Sequence, residues 1–274
     1  MDDTQISPLT LICVGSSFAF SGLFYHLYQQ KKLEIQRIKE TPKFQPDEDL
    51  VKTVKASPRK RLQYVAIEGV VQPDGEPLAS QYVPRCFGVV QKVVVREHWK
   101  FWNSKTKIWT PREMNTKETN NVVPFSLVYP GALFSKVSVK VQSPLEAAGP
   151  FMEQVYRRMR HAKEDLVNIL VQEMSGEKPV AQEETEELLR VGATLTGFGE
   201  VVLEQGHVLR LQPPQDGRQY LLVPTDYRGF LQMHQNTATM WKVLTALFGL
   251  AGATLLAWAL YRVYRRQDNN RPRN

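Results

Sequence analysis

Apolar and polar positions alternate between three regimes along this chain, and two of them are long uncharged runs. No charged residue occurs from Pro8 to Tyr28, and none from Val243 to Tyr261 between Lys242 and Arg262. At 1.5 Å of rise per residue the first run is about 31 Å long, close to the hydrocarbon thickness of a bilayer. A transmembrane helix is predicted over 7–29, and a second, with its interface, over 240–264. The stems of Lys242 and Arg262 carry their charges outward, and Trp241 and Tyr264 extend the interfacial belt. A buried core helix is rarely apolar all round for this length, so that reading is set aside. The first run is not read as a cleaved leader, because Asp2 and Asp3 stand at its head and no small-x-small site follows. Two spans place both termini on the same side of the membrane.

Between the runs the pattern changes twice. Lys31 continues a charged helix out of the membrane, and Pro42, Pro46 and Pro58 in polar surroundings make 30–61 a linker. Arg59, Lys60 and Arg61 are read as a solvated boundary turn. Strands follow at Tyr64–Val71 and Gly88–Trp102, the latter with Val89, Val93, Val95, Trp99 and Phe101 on one face. Asn103 to Lys107 has turn chemistry and folds this strand back as a hairpin at Ile108 and Trp109. A polar loop from Pro111 to Asn121 is expected, then strands at 122–128 and 136–141. Met152, Val155, Tyr156, Met159, Leu166, Ile169 and Leu170 predict a helix over 151–174. Further strands are expected at 194–203, 208–211 and 220–223. The fold class is α+β: a β-rich domain over 62–233 with at least one packed helix, inserted between two transmembrane helices. A short tail (1–6) precedes the first span, and a basic tail (265–274) follows the second.

Charge alters this picture little. The 35 basic and 28 acidic residues leave a net +7 spread along the chain, which does not imply nucleic acid, and the lipid bilayer is the partner that the pattern itself requires. Arg262, Arg265, Arg266, Arg271 and Arg273 against Asp268 place the C-terminus in the cytosol, whereas Asp2, Asp3, Lys31 and Lys32 favour the opposite. The C-terminal cluster carries more charges, and a long folded loop crosses a membrane largely regardless of its own charge, so the central region is placed across the membrane from the cytosol.

Candidate chemistry is sparse. Cys13 lies in the first apolar run and Cys86 stands alone in the central region, so that region holds no internal disulfide. His26, His98, His161, His207 and His234 lack the paired spacing of a tetrahedral zinc site, and a set of Cys86, His98 and His207 is set aside as ordinary strand residues. Gly192, Gly197 and Gly199 lack the strand, glycine turn and helix order of a dinucleotide loop and are read as sheet bends. Glu183, Glu184, Glu186 and Glu187 are read as the solvated first turn of a short helix rather than paired catalytic carboxylates. Trp99, Trp102 and Trp109 are assigned to cross-strand packing rather than a ligand platform. No catalytic, cofactor-binding or metal residue is assigned. Gly249, Ala253 and Ala257 in the second span, and Gly15 and Ala19 in the first, are candidates for close helix packing.

The stretches YVAIEGVV, VVPFSLV, SGEKP and ETEELLRVGATLTGFGEVVLEQGHVLRLQPP bring a family into view. Nearly the whole chain resembles the family of mitochondrial ubiquitin ligase activators of NF-κB, also called mitochondrial-anchored protein ligases. The order of parts is similar too: a span, a "beside a membrane" or GIDE domain, and a second span. The resemblance implies a domain in the intermembrane space, an outer-membrane location, both termini cytosolic, and a RING domain that recruits a ubiquitin-conjugating enzyme. It implies ubiquitin or SUMO transfer in mitochondrial dynamics and signalling, with fission and fusion GTPases among the partners. A RING needs eight Cys and His ligands for two zinc ions, and no cysteine follows Cys86, so zinc is expected only in a RING that these residues lack. The expectation is a ligase form truncated before its RING. The alternative is a RING-less binding module or regulator that forms homo- or hetero-oligomers with RING-bearing relatives.

Overall fold

The computed structural model describes residues 8–131, 137–161, 176–204 and 208–269. The chain divides into two compact units, Met1–Thr41 with Arg228–Asn274, and Pro42–Tyr227. The first holds two long helices, α1 (Pro8–Glu40) and α3 (Tyr227–Asn269), and both contain a stretch long and apolar enough to cross a membrane. They run antiparallel, since Phe18 lies beside Gly252, Ser21 beside Thr245, Phe24 beside Trp241 and Glu34 beside His234.

The second unit is built on a closed barrel. Strands β2 (Arg61–Pro73), β6 (Phe125–Val128), β7 (Ser138–Val141), β11 (Leu209–Gln212) and β10 (Thr194–Leu203) pair in that order, and β10 pairs back onto β2. All pairings are antiparallel except β7 with β11. The first barrel strand thus pairs with the second and the fourth, and the third with the fifth, which is the connectivity of an OB-type barrel. Short strands β1 (Lys43–Phe44) and β12 (Leu221–Val223) extend it on β2 and β10. Val65, Ile67, Val71, Phe125, Leu127, Leu195, Leu209, Leu211 and Leu222 fill the interior. Gly199 lies where β10 bends: its register against β2 shifts between Gly199 and Val201, and a methyl group there would sit 2.7 Å from the Gln212 carbonyl oxygen. Gly197 and Gly199 are strand residues and Gly192 is in the turn before them, as sheet bends require.

Residues 30–61 are more than a linker. Helix α2 (Glu48–Ala56) starts on Asp47, whose carboxylate accepts a hydrogen bond from the Leu50 N–H at 2.8 Å, and Glu48 and Asp49 add negative charge to the first turn. Leu50 and Val54, one turn apart, are fully buried in the barrel core. A helix thus packs on the barrel within the segment read as a linker, not where the apolar spacing predicts the packed helix, over 151–174.

Two insertions into the barrel form a second sheet. The connection from β2 to β6 supplies β3 (Leu78–Ala79), β4 (Phe87–Asn103) and β5 (Ile108–Val122), and that from β7 to β10 supplies β8 (Glu153–His161) and β9 (Glu177–Arg190). Strand β4 pairs with β5 and β9, and β9 with β8, all antiparallel. The lower end of this sheet joins the barrel core through Val89, Val90 and Leu189. The β4–β5 hairpin closes where expected: Asn103 Oδ1 accepts from the Lys105 and Thr106 N–H groups at 3.0 and 3.3 Å, and Lys107 adopts a φ of 51°.

Two expectations are corrected here. Residues 111–121 are strand, not loop: β5 is a solvent-exposed edge strand, so neither face shows apolar alternation. The first part of the predicted helix, Glu153–His161, is also an edge strand. Its arginines reach across to β9, Arg157 to Glu183 and Arg160 to Glu184, so charge rather than apolar spacing sets its place. Leu166, Ile169 and Leu170 lie outside the described residues.

Candidate functional site

Three groups of side chains could carry function: carboxylates within the sheets, the seam between the long helices, and the tip of the β4–β5 hairpin. The first group corrects the reading of 183–187 as a solvated helix turn. These residues lie in β9, and Glu183, Glu184 and Glu186 are buried. Glu186 is wholly enclosed and accepts hydrogen bonds from Ser80 Oγ (2.6 Å), the Gln81 N–H (3.0 Å) and Gln91 Nε2 (2.6 Å). Gln91 Oε1 in turn accepts from Asn121 Nδ2 at 2.9 Å. Three donors converging on two oxygens fasten the segment after β3 onto β4 and β9, and leave no lone pair aimed at an open cleft. Glu183 lies 3.1 Å from His98 Nε2 and 2.6 Å from Arg157 Nε, and these two partners hold its carboxyl below the usual carboxylate range. Glu200 on β10 is buried with Oε1 2.7 Å from Arg61 Nε, and among the described residues neither of its oxygens has a partner in hydrogen-bond geometry.

Glu68 on β2 ties the start of the domain to its end. Its carboxylate lies 2.7 Å from Lys43 Nζ and accepts from the Tyr227 N–H at 3.0 Å. Burial alone would raise its pKa, but the Lys43 ammonium and the hydrogen bonds from Tyr227 and Gln45 outweigh burial and hold it below the usual value. A depressed folded-state pKa contributes stability that is present above the unfolded value, about 4.3, and is lost as pH falls through the folded value. In thermal melts of the full chain in detergent micelles, Glu68→Gln should therefore lower the melting temperature at pH 7, with the gap to wild type closing as the pH drops below 4. A gap that stays constant across this range would show that the charge of Glu68 contributes nothing.

The helix seam is a heptad stripe. Partly covered or buried positions recur at alternating spacings of three and four through Val14, Ser17, Ser21, Phe24, Tyr28 and Lys31 in α1, and through His234, Ala238, Trp241, Thr245, Phe248 and Gly252 in α3. Ser21 Oγ donates to the Thr245 carbonyl at 3.0 Å, and the rings of Phe20 and Phe24 lie 5.7 and 5.3 Å from Phe248. Of the small residues singled out from the sequence, Gly249 is on the seam, where a Cβ would lie 3.3 Å from Ser21 Oγ. Gly15, Ala19, Ala253 and Ala257 are exposed, off the seam. Gly252, facing the Phe18 ring, was not singled out, although the heptad that contains it is legible.

Among the described residues no cluster of three His, Cys, Asp or Glu side chains could hold a metal. Cys86 precedes β4 and His98 lies far along it, too distant at about 3.3 Å per residue to share an ion, and His207 is outside the described residues.

Fold and side chains together define a class: a barrel domain with an inserted sheet, bracketed in sequence by two helices of membrane-spanning length. A family model described as GIDE, E3 Ubiquitin ligase, matches residues 94–257. The chain is 42% identical over 265 residues to "Mitochondrial ubiquitin ligase activator of nfkb 1-A" of Danio rerio, covering 97% of this chain and 76% of that protein. It is 36% identical to the Homo sapiens "Mitochondrial ubiquitin ligase activator of NFKB 1" over 261 residues, 95% and 74% of the two chains. Identity to "Mitochondrial E3 ubiquitin protein ligase 1" of Drosophila melanogaster is 27% over 260 residues, 95% of this chain and 75% of that protein. No solved structure matches. The chain belongs to the mitochondrial ubiquitin ligase activator family, with its GIDE domain.

Proposed function

We propose that this protein is a two-span component of the outer mitochondrial membrane that acts in protein ubiquitination, with both termini in the cytosol and the barrel domain in the intermembrane space. The observation that carries the reading is the antiparallel pair of membrane-length helices flanking the barrel domain in sequence, in a chain that aligns over most of its length with mitochondrial ligases. The arginines after the second span favour a cytosolic C-terminus. Ubiquitin transfer by a RING requires a closed set of Cys and His ligands, and residues 1–274 contain two cysteines, so the part played by these residues is anchorage and display. Mitochondrial fission and fusion GTPases are the substrates and partners that fit this reading. A second reading, a regulator that assembles with RING-bearing copies, is favoured by the exposed Ala253 and Ala257, which leave a face of α3 open to close approach by another helix.

The test is protease treatment of intact mitochondria carrying the chain with a tag at each end. Both tags should be removed and a fragment spanning 61–233 should survive until the outer membrane is ruptured. Digestion of the central region in intact organelles would overturn the topology.

A further inference from the structure

We propose that the tip of the β4–β5 hairpin is a binding site for an anionic lipid surface. The tip combines the two side-chain classes that a bilayer interface selects. Trp102 and Trp109 face each other across the strands with ring centroids 5.4 Å apart, Trp102 keeps 44% of its surface exposed, and Ile108 at the start of β5 keeps 62%. From Trp99 to Arg112 there are cations at Lys100, Lys105, Lys107 and Arg112 and no carboxylate; the facing β9 residues Glu177 and Lys178 cancel each other. Lys178 lies over the Trp109 ring at 4.9 Å and Arg112 over Phe101 at 5.6 Å, so basic groups flank the aromatic surface.

Cross-strand packing explains why the two tryptophans touch each other. It does not explain why an exposed isoleucine and four cations share the apex, at the end of the sheet remote from the barrel core. Indole rings settle at the headgroup level of a membrane, and each basic residue near an anionic surface strengthens binding about fivefold. Single-stranded nucleic acid would also use aromatic and basic groups. An aliphatic apex stacks on no base, however, and a chain held by two membrane-length helices has a bilayer within its surroundings at all times. Lipid binding at the tip rests on the two-span reading proposed above and not on ubiquitin transfer.

The experiment uses the full chain in nanodiscs, with Cys13→Ser and Cys86→Ser, and with Ser104→Cys carrying an environment-sensitive fluorophore at the tip. In one arm the disc is phosphatidylcholine, and vesicles of phosphatidylcholine alone or of equal parts phosphatidylcholine and phosphatidylglycerol are added. In the other arm the disc itself contains the equal mixture, so that a tip reaching its own bilayer is seen directly. A blue shift with phosphatidylglycerol in either arm is expected. It should be abolished by Trp102→Ser and weakened at least tenfold by the pair Lys105→Glu and Lys107→Glu, while the pair Lys52→Glu and Lys55→Glu on α2 leaves it unchanged. Matching thermal melts establish that the variants are folded. Absence of a shift in both arms, equal loss with the α2 pair, or a shift produced by an oligonucleotide and not by vesicles overturns the proposal.

Discussion

Replacing Glu186 by leucine should destabilise the barrel domain by about 3 kcal/mol or more, the range expected when several buried donors lose their acceptor. The side chain has no solvent exposure, and Ser80 Oγ, the Gln81 N–H and Gln91 Nε2 all point at its two oxygens. Leucine fills similar space but accepts nothing. Gln91 retains a bond to the Ala79 carbonyl at 3.3 Å and the Ser80 hydroxyl can rotate, so the Gln81 N–H is the group left most exposed to loss. Glutamine at 186 keeps the shape but must turn its own NH₂ toward one of the three donors, and its effect should be intermediate. Chemical unfolding of the full chain, followed by tryptophan fluorescence, measures both. A leucine variant within about 0.5 kcal/mol of wild type would mean that this network contributes only what an ordinary surface position does.

Leu50→Ala should cost about 2–5 kcal/mol, the range for emptying a fully buried leucine site. Leu50 and Val54 form the apolar face of α2 and pack in the same cluster as Ile67, Leu127 and Val201. Alanine leaves a cavity that the closed barrel behind it cannot collapse to fill. Exposed Lys55 on the same helix is the control, and its alanine variant should change stability by no more than about 0.5 kcal/mol. Limited proteolysis gives an independent readout, because loosening α2 should expose the peptide bonds of 48–56 to cleavage first. If Leu50→Ala and Lys55→Ala behave alike, the segment is the linker that its prolines suggest.

That contrast shows what the sequence allows to be read. Gly88–Trp102 and Thr194–Leu203 announce themselves because their residues are β-branched, aromatic or alternating, and the hairpin turn is written in Asn103. Strand β5 is silent because PREMNTKETNN has no apolar face: it is held by backbone pairing to β4, and its sequence carries no burial signal. In β8 and in 183–187 the polarity that suggests a solvated surface instead reports ion pairs and hydrogen bonds inside a sheet, and no local pattern separates the two cases. Helix α2 could have been found from Asp47 as N-cap and from the Leu50 and Val54 spacing, but Pro42, Pro46 and Pro58 crowd it on both sides. Closure of the barrel was not legible at all. Pairing of β2 with β10 joins segments separated by most of the domain, and local periodicity says nothing about distant partners.

This closure has a kinetic consequence. The first barrel strand meets its fourth only when Val70 comes beside Thr194, and the inserted sheet needs β4 from one connection and β9 from the other. The β4–β5 hairpin closes locally, but the barrel cannot close on any fragment that ends before β11, so its loop-closure entropy must be lost before the long-range contacts compensate for it. In a chain emerging from its N-terminus the barrel therefore stays open until the last barrel strand, Leu209–Gln212, is available. That delay keeps the barrel segments between the two apolar helices unpaired until nearly all of the domain has been made.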